Sequence, residues 1–266
     1  MRTPFRAAVS RCAGWVADRR VPAPLRAPLY SAYARLTGAD MAEVAEPLAA
    51  HASLGEFFVR RLKDGARPIE VDPEALTSPC DGTLQAVGPV ERGRLLQAKG
   101  RDYALAELLR SGPDAEACEG GCAWTIYLAP RDYHRVHAPE ACSLAELRRM
   151  DGTRHSVAPG VLARRLVLPT NERAVFRLET AKGTLWLVMV GAMNVGRIRV
   201  VGQGASAARG GRSFARGEEL ARFEMGSTVV LVAPRGAATP AARLAPGSRI
   251  RLGQAIGSWA PVRARA

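Results

Sequence analysis

The sequence predicts an α+β, mainly β fold: a compact antiparallel β barrel or sandwich core with amphipathic N-terminal helices. Two observations carry this expectation. From residue 79 onward, short apolar runs alternate with glycine and proline at the spacing of an all-β core. Residues 1 to 40 instead carry apolar side chains at helical spacing. A chain of 266 residues with 47% hydrophobic and 24% charged residues can bury one sizeable core, which argues against wholesale disorder. No apolar stretch approaches the roughly 18 residues of a membrane-spanning helix.

In chain order, Phe5, Val9, Cys12 and Val16 lie on one face of a first helix. Leu25, Leu29, Tyr33 and Leu36 repeat the pattern after Pro22 and Pro24, and Thr37-Gly38 ends it. Residues 1–36 hold seven arginines against one acid, Asp18. Such helices suit a membrane interface, where apolar faces enter the acyl boundary and arginines meet phosphates. They equally suit a cover over the protein's own core. Residues 41–78 read as a connection, with a short helical piece at Leu54–Leu62 and an extended path from Arg67-Pro68-Ile69. Strands are expected at Thr83–Val87, Thr125–Leu128, Ala174–Leu178, Thr184–Val190, Ile198–Val201, Thr228–Val232 and Ile250–Leu252. Gly183 to Val195 reads as a buried strand pair. Leu105–Arg110 and Ser156–Arg164 are the helical candidates, and Arg209–Gly217 reads as a loop.

The formal charge of +13 would attract polyanions, either nucleic acid or an anionic membrane. Only 6% of residues are aromatic and none interleave with basic clusters, which disfavours nucleic acid. Five scattered cysteines do not form a disulfide framework. Cys118 and Cys122 have no second pair, so no zinc site is expected there and a reducing environment fits.

Chemistry concentrates in three segments: Ser78-Pro-Cys-Asp81-Gly82, Asp132-Tyr133-His134-Arg-Val-His137 and Met225-Gly226-Ser227-Thr228. Ser227 precedes a strong strand that would hold it rigidly, and Gly226 leaves its carbonyl open to attack. A hydroxyl so held can undergo an N-to-O acyl shift. The ester then eliminates to dehydroalanine, which hydrolyses to a pyruvoyl group. That reaction needs a base, and two of the four histidines, His134 and His137, lie close in sequence. Asp132 and Glu140 keep metal ligation by these histidines open, although no third ligand has recognisable spacing. Asp81-Gly82 is most simply a turn; it becomes catalytic if the fold brings Asp81 to a histidine.

In combination and in this order, the motifs resemble the bacterial, pyruvoyl-dependent phosphatidylserine decarboxylase family. Phe57-Phe58-Val59-Arg60 with Ala66-Arg67-Pro68-Ile69 resembles its opening segment, and Pro79-Cys-Asp81-Gly82 its Pro-x-Asp-Gly motif. Gln97-Ala98-Lys99-Gly100 with Tyr103 is similar to its substrate-side segment. Pro130–Pro139 matches its histidine motif; Asn171-Glu172-Arg173 and Val190-Gly191-Ala192 recur too. Its Leu-Gly-Ser-Thr is Met225-Gly226-Ser227-Thr228 here, a volume-conserving swap.

The resemblance implies that Asp81 and His137 activate Ser227, that the chain is cut between Gly226 and Ser227, and that His134 serves decarboxylation. The pyruvoyl cofactor at position 227 would form a Schiff base with the amine of phosphatidylserine and act as an electron sink. Gln97, Lys99, Tyr103 and Tyr133 are the implied substrate-side residues, with no metal. Residues 1–40 would then be membrane-associating helices and 41–266 the catalytic domain. Further implied are a heterodimer of fragments 1–226 and 227–266, a peripheral site on the cytoplasmic face of the bacterial membrane, and phosphatidylethanolamine as product. Association with a second copy is left open. Three other readings stand beside this: a serine hydrolase using Ser227, His137 and Asp81, a pyruvoyl decarboxylase for another amine, and a non-enzymatic lipid-binding membrane protein.

Overall fold

A computed structural model describes residues 17–98, 101–192, 198–202, 211–224 and 227–261. The first expected helix, Lys99 and the Met225-Gly226 pair lie outside the described residues. Helix α1 (Ala23–Thr37), a single 3-10 turn and α2 (Leu54–Phe58) come first. Strands β1 (Ala75–Thr77), β2 (Gly82–Pro89), β3 (Arg94–Ala98) and β4 (Arg101–Ala104) follow, then α3 (Leu105–Leu109) and α4 (Gly112–Ala117). Next are β5 (Cys122–Leu128), β6 (Arg135–His137), β7 (Cys142–Met150) and α5 (Pro159–Leu162). The remaining strands are β8 (Arg173–Thr180), β9 (Gly183–Gly191), β10 (Ile198–Val200), β11 (Ser213–Phe214), β12 (Glu219–Phe223), β13 (Ser227–Ala233), β14 (Ala238–Pro240), β15 (Arg249–Ile250) and β16 (Ala255–Trp259).

The centre is an eight-stranded antiparallel sheet ordered β11-β7-β8-β9-β13-β5-β2-β15. It does not close into a barrel; β11 and β15 are its edges. Side chains alternate across it, as the pleat requires. Val229, Leu231 and Ala233 of β13 face one core with Leu128, Leu187 and Met189, while Val230 and Val232 face a second with Val188 and Val190. The first core is covered by two three-stranded sheets, β10-β12-β6 and β1-β16-β14. The second is covered by the β3-β4 hairpin and helices α3, α4 and α5. Central strands are therefore buried on both faces, which is why β9 and β13 read as nearly unbroken apolar runs. The architecture is the expected mainly β sandwich, with α3, α4 and α5 over the second core and α1 and α2 beside the turn after β5.

Several local expectations change. The described part of the expected pair from Gly183 is one strand, ending at Gly191. The expected helix at Ser156–Arg164 shrinks to α5, because Ala158 before Pro159 is held extended (ψ 145°). Ser213 and Phe214, expected in a loop, pair with Ser143 and Cys142.

In α1 the protein-facing side chains are Tyr30 and Ala34, not the expected leucine stripe. Tyr30 stacks on Phe57 (4.7 Å, 8°), and the Tyr33 hydroxyl donates to the Pro130 carbonyl (3.0 Å). Leu25, Leu29 and Leu36 point outward, 57%, 44% and 88% exposed. The helix ends at Gly38, whose φ of 78° suits glycine.

Candidate active site

Ser227 opens β13 at one end of the large sheet. It pairs with Leu128 on one side and Gly191 on the other. Leu128 lies in the core shared with the β10-β12-β6 sheet, so the Ser227 side chain, directly opposite it, faces the same way. Its hydroxyl is buried and makes no hydrogen bond among the described residues.

Two chain paths bring His134 to this end. The turn after β5 is closed by Asp132, whose carboxylate accepts the Ala129 N–H (2.7 Å) and whose N–H donates to the Ala129 carbonyl (2.8 Å). His134 then accepts the Phe223 N–H on its carbonyl (3.0 Å), just before the segment that reaches Ser227. Its Nδ1 lies 2.8 Å from the Asp132 carbonyl, which can only accept, so Nδ1 carries the hydrogen. Nε2 is left with its lone pair, buried and unbonded among the described residues. Burial pushes the His134 pKa down to about 4. The Phe58 ring packs against the imidazole, centroids 4.0 Å apart. His134 and Val136 share strand parity, and Val136 belongs to the core that Ser227 faces.

His137 has the opposite parity. Its Nδ1–H donates to the Gly217 carbonyl (2.8 Å), and Nε2 accepts from the Tyr133 hydroxyl (3.1 Å). Burial lowers the His137 pKa and raises that of Tyr133 to about 12, which keeps the phenol protonated as donor. The His137 N–H donates to the Pro79 carbonyl (2.8 Å), so the Asp81 segment does lie against the histidine segment.

Asp81 is buried and fully engaged. Arg67 grips it with Nε–Oδ1 2.9 Å and Nη2–Oδ2 2.6 Å, and the Leu252 N–H donates to Oδ1 (2.8 Å). Asp81-Gly82 is not simply a turn. Gly82 starts β2, and a Cβ there would come 2.6 Å from the Tyr127 carbonyl oxygen, so only glycine allows this strand approach. Register places Gly82 two strands from Ser227, about 10 Å across the sheet. No hydrogen bond among the described residues joins Asp81, His137 and Ser227.

The structure thus gathers Asp81, Tyr133, His134, His137 and Ser227 at one end of the sandwich. Beside them is a polar cavity of about 160 Å³, lined by Asp81, Tyr133, Arg60, Arg67, Asp132 and Arg249. Asp132 and Glu140, the carboxylates of the metal alternative, are taken by Arg249 (2.7 Å) and by Arg216 and Lys182 (2.6 and 3.1 Å).

The other substrate-side candidates lie away from this group. Gln97 is buried; its amide donates to the Leu162 and Arg165 carbonyls (2.7 and 2.8 Å) and accepts the Val167 N–H (3.2 Å). It staples the 162–168 segment and has no capacity left for a ligand. Tyr103 is buried in the second core.

Sequence reasoning missed Arg67, Arg249 and Asn171. Asn171 donates to the Gly191 carbonyl (2.8 Å) and so fixes the residue paired with Ser227. Arg67 and Asn171 stood inside quoted motifs, but no spacing marks which polar residue becomes a buried anchor.

Comparison with known proteins bears on this geometry. Residues 54–258 match the family described as phosphatidylserine decarboxylase. A phosphatidylserine decarboxylase proenzyme of Marinobacter nauticus is 38% identical over 94% of this chain and 93% of its own. One of Halorhodospira halophila is 43% identical over 84% and 80%, and one of an Anaeromyxobacter species 39% over 95% and 94%. The chain belongs to the phosphatidylserine decarboxylase family.

Proposed function

We propose that this member of the family decarboxylates phosphatidylserine to phosphatidylethanolamine, using a pyruvoyl group that it makes from its own Ser227. The observation that carries the reading is the buried Ser227 hydroxyl, unbonded among the described residues, at the sheet end that also holds His134, His137 and Asp81. An ordinary core serine would satisfy that hydroxyl. In self-processing, Ser227 Oγ attacks the Gly226 carbonyl and the peptide becomes an ester. Loss of the Ser227 α-proton expels the Gly226 carboxylate. Water then releases ammonia from the resulting enamine, leaving the pyruvoyl group.

The residues present fit that group: position 227 is buried and held between two strands, and the neutral His134 imidazole lies at the same end of the sheet. Bound covalently there, the pyruvoyl carbonyl supplies an electron sink for the departing carboxylate's electrons. Asp81 and His137 serve the cleavage, following the family resemblance; for this, His137 Nε2 exchanges its Tyr133 contact for the serine. His134 serves the second reaction, taking a proton at Nε2 and returning it to carbon once CO2 has left.

The substrate sits in a membrane, and α1 supports peripheral attachment; the cytoplasmic face belongs to the proposal and follows the family resemblance. Its leucines point away from the protein while Tyr30 and Ala34 anchor it. Among the described residues no helix is long and apolar enough to cross a membrane.

Intact mass of the purified protein tests the cofactor. Two fragments are expected, 1–226 and the 40-residue 227–266, the latter with a blocked N-terminus. An active preparation consisting of one uncut chain would overturn the reading, and a hydrolase using Ser227 would give that result.

A further inference from the structure

Arg60 follows α2 and lines the polar cavity beside Asp81 and Tyr133. It is 3% exposed. Nη2 donates to the Arg131 carbonyl (2.9 Å), but Nε and Nη1 make no hydrogen bond among the described residues. No carboxylate among them forms an ion pair with it. The acids that line the cavity are committed elsewhere: Asp81 to Arg67 and the Leu252 N–H, Asp132 to Arg249 and the Ala129 N–H, Glu43 to Arg67 and Arg251, and Asp40 to the Ala42 N–H. Nη2 also reaches the Asp132 carbonyl (3.5 Å), and the Phe57 ring lies 5.4 Å from the guanidinium. A guanidinium taken out of water without an anion is strongly disfavoured. Arg67 and Arg249, on the same cavity, each have one. The free nitrogens of Arg60 therefore mark a place for an incoming anionic oxygen.

We infer that Arg60 anchors the phosphodiester of the lipid headgroup, and that the cavity is the headgroup site. The inference rests on phosphatidylserine being the substrate. That headgroup brings two anions, and the chemistry separates them. The carboxylate must leave as CO2, and a guanidinium paired to it would stabilise the ground state and slow departure. The phosphodiester keeps its charge throughout, so a cation there holds substrate and transition state equally. Arg60 accordingly acts on affinity rather than on the chemical step.

The test uses the full chain with a short-chain, dispersed phosphatidylserine. Arg60→Gln should still cut itself, with KM raised tenfold or more and kcat within about threefold of the wild type. Arg60→Lys should fall between the two. Glycerophosphoethanolamine, which has the phosphodiester but no carboxylate, should inhibit the wild type and lose potency in Arg60→Gln in step with KM. Free serine should inhibit both equally.

Thermal unfolding separates anchor from scaffold. In the uncut Ser227→Ala chain, adding Arg60→Met should leave the midpoint unchanged or raise it, because an unpaired buried charge is removed. An unchanged KM in Arg60→Gln overturns the inference. So does a fall in kcat alone, or a lowered midpoint with Arg60→Lys also uncut. Inorganic phosphate competing more strongly than the glycerol ester would make the occupant a free phosphate and overturn the headgroup assignment. Failure of the decarboxylase reading itself is distinct, since it shows as an inert wild type.

Discussion

His134 and His137 are two imidazoles with separate environments, and under the proposed function that separation divides their work. Among the described residues His134 Nε2 is buried without a hydrogen bond, while His137 Nε2 is bonded to Tyr133 at the edge of the polar cavity. Expected outcomes follow for each. His137→Ala and Asp81→Ala leave the precursor uncut on denaturing electrophoresis. His134→Ala still cuts, but its decarboxylation falls at least a hundredfold, in the range of a lost acid–base group. The reverse pattern would assign the free Nε2 to the serine instead. The His134 pKa also sets a stability window. Its folded value, about 4, lies below the ordinary 6.5, so the unfolded chain binds the extra proton between them. Stability is fully present above pH 6.5 and is lost as pH falls toward 4, by up to about 3 kcal/mol from this residue. Urea unfolding of uncut Ser227→Ala at pH 7 and pH 4.5 should show the loss, and His134→Gln should remove part of it. Equal pH dependence in both chains would place His134 in a wetter site. Ser227, His134 and Asp81 could be singled out as candidates because a short motif brackets each. Arg60 and Arg249 were not: their roles depend on which carboxylates lie beside them, and those arrive from distant parts of the chain.

Elements were legible where burial wrote a strong pattern. Strands β5, β9 and β13 carry long apolar runs because both of their faces are covered. Strand β7, Cys142-Ser-Leu-Ala-Glu-Leu-Arg-Arg-Met150, was not. Its leucine, alanine, glutamate and arginine favour a helix, yet pairing along β8 holds it extended. Tertiary contact overrides local preference there. Strands β6 and β11, of three and two residues, are too short to carry a period. In α1 the heptad-like spacing was real but did not reveal which side faced the protein. Aromatic stacking on Phe57 chose Tyr30 and left the leucines outside. That arrangement yields a test of membrane contact. Each leucine fully buried in lipid contributes about 1.5–3 kcal/mol. Changing Leu25, Leu29 and Leu36 together to serine should leave self-cleavage intact and reduce liposome flotation tenfold or more. High salt should weaken wild-type binding without abolishing it, since salt screens the arginines and not the apolar stripe. Unchanged flotation of the triple variant would move membrane contact away from this helix.

At the scale of the molecule, the proposed cut falls where it cannot separate the pieces. Fragment 227–266 contains β13, the strand between β5 and β9, buried along its whole length. It also contains β14 and β16 of a small sheet and β15 at the edge of the large one. Removing it would expose both cores at once, including Val229, Val230, Leu231, Val232, Ile256 and Trp259. The fragment further completes the site held by the larger piece: the Leu252 N–H fixes Asp81, Arg249 fixes Asp132, and Arg251 reaches Glu43 (3.3 Å), which in turn holds Arg67. The proposed cleavage would therefore create a new chain end without creating a free subunit. The two fragments should run as one species on size exclusion, unaffected by dilution or high salt, because apolar burial dominates the contact. They should part only in denaturant. After denaturant is removed, activity should recover poorly, since an isolated central strand must re-enter a sheet already closed around its place. Loss of the small fragment on simple dialysis would show that β13 does not sit where the sheet order puts it.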